Sequence, residues 1–313
     1  MDLKHDALTA ALDDLKLRCV PLQETASRGE WRRSFPLDDI SLHLVISGDC
    51  LINAAVRIWR HRLTRGEMLV VNRGVEGELR STSGDHRPPE VLSMRVQLDA
   101  QHGHPLVDSF PPLIRASPTG VPRSFGPAMD TLFEELSIPV VGRGVILRRL
   151  CEVLFIQALR MHLGDLSWND QGWFRALADP VLREHMHFAA DPSASVSVLA
   201  SAAHRSTRRI RARFLQFSGS RPAVFIREAR VWRAAALLRQ GESDLEKIAA
   251  LIGYGSRQAL ARAFRRRLGV SPTEYWRQVL SRPFPRARRE PTCKPAGGPI
   301  PSSRGWGDPA QPK

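Results

Sequence analysis

Apolar positions along this chain have two textures: short β-type runs over roughly the first third, and helical stripes at i, i+3 and i+4 beyond it. Asp6 to Leu17 opens with an amphipathic helix, apolar at 8, 11, 12 and 15. Runs rich in Val, Ile, Leu and Trp then recur between Gly, Asp, Asn and Pro breaks, at Cys19 to Leu22, Leu42 to Ser47, Val56 to Leu63, Met68 to Val71 and Val91 to Leu98. Their length and bounding residues predict strands of a sandwich or small barrel. Ile46 to Leu51 and Arg65-Gly66-Glu67 read as hairpin turns. A proline-rich connector over 105–127 precedes two helices, Ala128 to Ser137 and Val145 to Leu163. The second carries Leu147, Leu150, Cys151, Leu154, Phe155, Ala158 and Leu159 on one face, either ordinary core or a dimer seam. Helical segments follow at 172–178 and 180–189.

The last hundred or so residues contain one pattern twice, Ser206 to Phe214 (STRRIRARF) and Ser256 to Phe264 (SRQALARAF). Each copy starts on a serine able to cap a helix, turns an aliphatic residue and then a phenylalanine inward, and leaves arginines outside. In front of the first lies the small-residue segment Ser195 to Ala203, with His204-Arg205 as a turn. In front of the second, Ser243-Asp-Leu-Glu246 reads as a capping box before a helix with Ile248, Leu251 and Ile252 inward, and Gly253-Tyr254-Gly255 makes the turn. Helix, tight turn and basic helix form a helix-turn-helix, here present twice. Between the units, Ala223 to Gln240 predicts a helix of roughly 27 Å at 1.5 Å per residue, of the order needed to hold two readers about one DNA turn apart.

Charge sharpens this picture. The formal net charge of +14 on 313 residues is concentrated, with 19 Lys and Arg against 7 Asp and Glu in residues 180–282, 6 against 2 in 283–313, and 21 against 23 in residues 1–179. A polyanionic partner is therefore expected for the second half only. At 42% apolar residues, with no apolar run of membrane-spanning length and no signal-peptide pattern, the chain is expected to be globular, cytoplasmic and without a membrane contact. Cys19, Cys50, Cys151 and Cys293 show no zinc spacing, and a reducing compartment fits them.

Residues 180–282 resemble the double helix-turn-helix domain of AraC/XylS-type transcription regulators. The likeness rests on Leu199-Ala200, Ser206 to Phe214, Arg230 with Ala234 and Leu237-Leu238, Ile248-Ala249, Gly253-Tyr254, Phe264 to Arg266, and Gly269-Val-Ser-Pro272 followed by Tyr275. Ala194 departs from the family's tryptophan, and Leu260 from its aromatic residue. Helix geometry turns Thr207, Arg208 and Arg211 toward bases in the first unit, and Arg257, Gln258, Ala261 and Arg262 in the second. Ser206, Arg209, Arg213, Ser256, Arg265, Arg266 and Arg267 are assigned to the phosphate backbone.

The first half resembles the cupin-like sensor domain of one AraC subgroup, on Asp6-Ala-Leu, Leu42 to Val45, Gly48-Asp-Cys50, Gly66-Glu67, Arg73-Gly74 and His104-Pro-Leu106. Only His43 stands where a metal-binding cupin needs His-x-His, and Glu76-Gly77-Glu78 replaces a later histidine, so no metal, cofactor or catalytic residue is expected. His102-Gly-His104 reads as loop, and the cysteines as small buried hydrophobes, with redox sensing as the other reading. The fold class expected is α+β: an N-terminal β-barrel (cupin-like) with a helical segment, plus a C-terminal all-α double helix-turn-helix domain. The divisions expected are a sensor over 1–104, a connector and helical dimerisation segment over 105–179, the DNA-binding domain over 180–282, and a disordered proline-rich basic tail over 283–313.

The resemblance implies double-stranded DNA as partner, a small-molecule effector in the barrel, a homodimer, and RNA polymerase if the protein is an activator. Two rivals remain open, a metal-dependent cupin enzyme tethered to DNA and a nonspecific nucleic-acid-binding protein.

Overall fold

The computed structural model describes residues 7–22, 31–55, 59–82, 88–98, 105–118, 124–166, 172–186 and 192–281. The His102-Gly-His104 segment, Cys293 and the tail lie outside them. Helix α1 (Ala7–Leu15) leads into strands β1 (Arg18–Pro21), β2 (Arg32–Ser34), β3 (Ile40–Ser47), β4 (Cys50–Ala54), β5 (Trp59–Leu63), β6 (Met68–Val71), β7 (Gly77–Ser81) and β8 (Glu90–Gln97). Next come α2 (Pro105–Asp108), β9 (Leu113–Ala116), α3 (Phe125–Ser137), α4 (Arg143–Asp165), α5 (Trp173–Ala178) and α6 (Pro180–Met186). The chain continues with α7 (Val196–Ala202), α8 (Thr207–Ser218), α9 (Pro222–Arg239), α10 (Leu245–Leu251), α11 (Arg257–Leu268) and α12 (Pro272–Ser281).

The strands form two antiparallel sheets, ordered β1-β8-β3-β6-β9 and β2-β7-β4-β5. Val45, Leu69, Val71 and Val91 from the first face Cys50, Ile52, Leu63 and Leu79 from the second in one core. The opposite face of the five-stranded sheet, with Leu42, Leu44, Met68, Val70, Met94 and Val96, packs on α1, α3 and α4. Strand β3 is thus covered on both faces and buried without a break from Ile40 to Val45, which explains its continuous apolar run. The architecture is a cupin-like pair of facing sheets backed by helices.

Two turns expected to close hairpins do something different. Gly48-Asp49 joins β3 to β4, and Thr64 to Glu67 joins β5 to β6, and in both cases the chain crosses from one sheet to the other. At the first crossing Gly48 takes φ +69° beside Pro89, and at the second Gly66 takes φ +83° while donating its N–H to Val45 O. Glu67, buried, accepts from Thr64 N at 2.8 Å and from Arg115 Nε at 3.1 Å, so its carboxylate pins the turn.

The helical half holds two cores rather than one. Ile210, Phe214, Phe217, Phe225 and Ile226 belong to the same hydrophobic cluster as Leu106 and Phe155 of the β-rich half and Phe174 of α5. Val231, Ala235, Leu238, Ile248, Ile252, Leu260 and Phe264 form a separate cluster around the end of α9. Helix α9 is the element common to both. The α4 stripe proposed above as core or seam is core: Leu147, Cys151, Leu154, Phe155, Ala158 and Leu159 are buried, and Leu150 is half-buried against them.

Candidate nucleic-acid interface

Each unit begins with a short helix capped by a side-chain oxygen, Ser195 Oγ accepting from Val198 N in α7 and Asp244 accepting from Glu246 N and Lys247 N in α10. The cap of the second unit is therefore Asp244, one residue later than the Ser243 box read from the sequence. Leu251 then turns outward, half exposed, while Ile248 and Ile252 stay inside. Arg205 N and Tyr254 N donate back to Ala200 O and Ala249 O at 2.9 and 2.8 Å, and the residue before each is left-handed, His204 at φ +48° and Gly253 at φ +77°. The leading helices and turns thus superpose at an offset of 49. The readers superpose at 50, from the caps Ser206 and Ser256 to the left-handed Gly219 and Gly269. Gly255 is the extra residue.

Both readers are built alike. Ser206 Oγ accepts from Arg209 N and Ser256 Oγ from Ala259 N. Ile210, Phe214 and Phe217 are buried in α8, and Leu260, Ala263 and Phe264 in α11. Thr207, Arg208, Arg209 and Arg211 are exposed on the first, and Arg257, Gln258, Arg262, Arg265 and Arg266 on the second, with Ala261 half-buried between them. Arg257 stands 3.7 Å from Glu246 across an exposed gap, an arrangement that costs little to open. Two arginines assigned to phosphates have partners within the protein. Arg213 grips Asp179 through both Nε and Nη2, and Arg267 Nε lies 3.2 Å from Glu228.

The two units are tied together through α9. Arg230, near the middle of α9, donates to Pro192 O at 2.7 Å, Ala194 O at 3.0 Å and Gly253 O at 3.3 Å, tying the entry of the first unit to the turn of the second. Gly253 lies so close to this entry that a Cβ would come within 2.9 Å of Pro192 Cα. Ser271 and Glu274 form a reciprocal capping box at the start of α12, whose Tyr275 hydroxyl accepts from Arg239 and whose ring packs 5.4 Å from Phe264.

The interior of the β-rich half carries a different polar group. His43 is fully buried, its Nε2 at 2.9 Å from Ser41 Oγ and its Nδ1 at 2.8 Å from Ser93 Oγ, with Arg33 bonded to Ser93 and to Val91 O. Burial, with the Arg33 charge second, lowers the His43 pKa to about 3. A metal does not fit these donors, since both ring nitrogens are engaged and the adjacent charge is cationic. Because the unfolded state takes up a proton at a pH where the folded state does not, stability is complete above the ordinary histidine pKa and falls as pH drops from 6.5 toward 3. His43→Gln is expected to flatten this loss, which for the native chain is about 2 kcal/mol at pH 5. Urea unfolding of both proteins from pH 7 to pH 4 measures it, and identical slopes would remove His43 from the cause.

Cys50 and Cys151 are pushed up to about 12, and Cys19 higher still, each chiefly by burial, so their thiolates are strongly disfavoured. An open cleft of about 470 Å³ is lined by Ser34, Asn53, Arg60, Glu76 and Glu78 at the four-stranded sheet. Among the described residues no helix is long and apolar enough to cross a membrane.

Two family models match the chain, a cupin over residues 6–164 and a helix-turn-helix domain over 199–278. The chain belongs to the AraC family and carries an N-terminal cupin domain. An AraC-like transcription regulator of Streptomyces antibioticus is 35% identical over 175 residues, 54% of this chain and 57% of the relative. AlkR, a helix-turn-helix transcriptional regulator of Acinetobacter baylyi, is 28% identical over 208 residues, 64% of this chain and 67% of its own length. The aligned part thus covers little more than half of the first of these relatives. Among solved structures, ToxT from Vibrio cholerae O395 aligns over 86% of this chain and all of its own at 11% identity, with a TM-score of 0.37. In this AraC-family chain the cupin model ends at the last turn of α4, and the helix-turn-helix model starts inside α7, leaving α5 and α6 between the two.

Proposed function

We propose that this chain is a sequence-specific DNA-binding transcription regulator without enzymatic activity, whose α8 and α11 enter successive major grooves. The observation that carries the reading is the duplicated unit itself, two capped helices with arginine-rich exposed faces, joined through α9 and Arg230. Thr207, Arg208 and Arg211 face bases in one groove, and Arg257, Gln258, Ala261 and Arg262 in the next. Ser206, Arg209, Ser256, Arg265 and Arg266 hold phosphates, while Arg213 and Arg267 do so only through the edges that Asp179 and Glu228 leave open. The two readers differ at nearly every outward position, so one chain reads an asymmetric site.

Arg257→Ala is expected to weaken binding to a site selected from random duplexes by about 10-fold or more, the free energy of a bidentate Arg–guanine contact, and to change random-DNA binding much less. Gel-shift titration on both DNAs measures it. Equal losses would make Arg257 a phosphate contact, and no preference by the native chain for any duplex would favour the nonspecific reading.

The cupin half is read as a sensor for a small molecule, and the cleft beside Glu76 and Glu78 is large enough for one. The homodimer is assigned to the junction of α3 and α4, not to the buried α4 stripe. Ile138, Val140, Val141, Val145, Ile146 and Val153 are exposed there. They lie between the acidic outer face of α3, with Asp130 and Glu134, and the basic outer face of α4, with Arg149 and Arg160. A two-fold axis through this patch sets acidic against basic faces, so a second copy is the occupant that its charges fit. Val145→Glu with Val153→Glu is expected to leave a monomer in sedimentation velocity, and an unchanged dimer would place the interface elsewhere.

A further inference from the structure

Helices α5 and α6 belong to neither matched family model, yet α5 touches both sides. On the sensor side, Trp173 N donates to Ser109 Oγ at 3.2 Å, and the Phe174 ring lies 5.4 Å from Phe110, which in turn packs on Phe155 of α4. On the DNA side, Gly172 N donates to Phe217 O at 3.0 Å, and the Phe217 ring has the Arg175 guanidinium at 4.7 Å and that of Arg213 at 5.4 Å. At the corner where α5 ends and α6 begins sits Asp179, only 3% exposed. Its Oδ1 accepts from Leu182 N at 2.9 Å and from Arg213 Nε at 2.8 Å, and its Oδ2 accepts from Arg213 Nη2.

This carboxylate has a job that packing alone does not require. A buried aspartate fixed by its own helix cap offers both oxygens in a set direction, and a planar guanidinium can meet both only in one orientation. Arg213 lies on α8 three residues beyond Phe214's turn partner Ile210, so fixing its guanidinium fixes the rotation of α8 about its axis. Residues Arg208 and Arg211 share that helix. Among the described residues, α11 packs instead in the cluster closed by α9, α10 and α12, separate from the one that holds α5 and α8. We infer that Asp179 is a positioning residue for the first reader: held on the sensor side through α5, it sets the pose of α8 by its two-point grip on Arg213, and so couples that reader, and not α11, to the cupin domain. This inference rests on the DNA-reading function proposed above.

The full chain, a duplex selected from random DNA, and hydroxyl-radical footprinting at half-site resolution provide the test. Asp179→Asn keeps the shape and one acceptor but raises the net charge by one. Protection of the α8 half-site is expected to fall about 10-fold in affinity, with the α11 half-site protected as in the native chain. Random DNA is expected to bind slightly more tightly, because the added positive charge releases more counterion. Arg213→Lys, which keeps the charge and cannot grip both oxygens, is expected to give the same half-site loss without the gain on random DNA.

A merely structural role would lower the melting temperature and the active fraction while leaving the ratio of the two half-sites unchanged. That ratio unchanged in either folded variant, or both half-sites weakened alike, would overturn the inference. Should Asp179→Asn fail to fold by circular dichroism, Asp179→Glu, which keeps the charge but displaces the carboxylate from Arg213 and touches no DNA, decides on the same criterion. Failure of the native chain to select any site would instead remove the DNA-reading function itself.

Discussion

Phe214→Ala is expected to destabilise the cupin half and the first reader together, whereas Phe264→Ala destabilises only the second unit. Both rings are all but inaccessible, and truncating a buried phenylalanine costs about 3–5 kcal/mol. What differs is the core each one fills. Phe214 packs 5.5 Å from Phe225, within the cluster that continues through Trp173 and Phe174 to Phe155 and the sheet. Phe264 packs on Tyr275 within the cluster closed by α9 to α12. Hydrogen exchange resolved by peptide should therefore show faster exchange in α4 and α5 for Phe214→Ala, and in α10 to α12 alone for Phe264→Ala. Matching exchange maps for the two variants would mean that the helical half is one cooperative unit and that its two cores are not independent.

Gly253→Ala should cost about 3 kcal/mol or more and abolish reading by α11. The first unit supplies the control. His204 occupies the equivalent left-handed position at φ +48° with a full side chain, so the backbone angle alone does not demand glycine. At Gly253 the demand comes from the neighbouring chain, because a methyl would enter the carbonyl and Cα of Pro192 and push the turn away from Arg230, which holds both. His204→Gly is expected to change stability by less than about 1 kcal/mol in either direction. Denaturant unfolding of both variants measures the contrast, and equal small effects would show that the approach to Pro192 relaxes without cost.

Much of the DNA-binding half was legible because its signals are local. A serine oxygen, an aliphatic residue and a phenylalanine at helical spacing define each reader, and Ile210, Phe214, Leu260 and Phe264 are buried as their spacing predicts. The pattern is ambiguous where several residues compete for one local role. Ser243 and Asp244 can both cap α10, and only the fold shows that Asp244 does, which rotates Leu251 outward.

In the cupin half, strands β3, β6 and β8 announce themselves as apolar runs, while β2 and β7 (RRS and GELRS) lie in the outer sheet with too few apolar residues to stand out. Strand β9 is hidden in the proline-rich connector and is stabilised by pairing with β6. The turns at Gly48 and Gly66 were legible as turns, but whether a turn closes a hairpin or crosses between sheets depends on partners far away in the chain. The role of Arg213 was hidden for the same reason, since its partner Asp179 lies 34 residues earlier.

In the proposed function, the two readers of one chain contact two different stretches of one duplex. Hydroxyl-radical footprinting of the full chain on its selected site tests this most directly. Two protected segments about one helical turn apart on one DNA face, one lost with Arg208→Ala and Arg211→Ala and the other with Arg257→Ala and Arg262→Ala, is the expected result. A single protected segment weakened alike by both pairs, or uniform protection of every duplex tried, would contradict it.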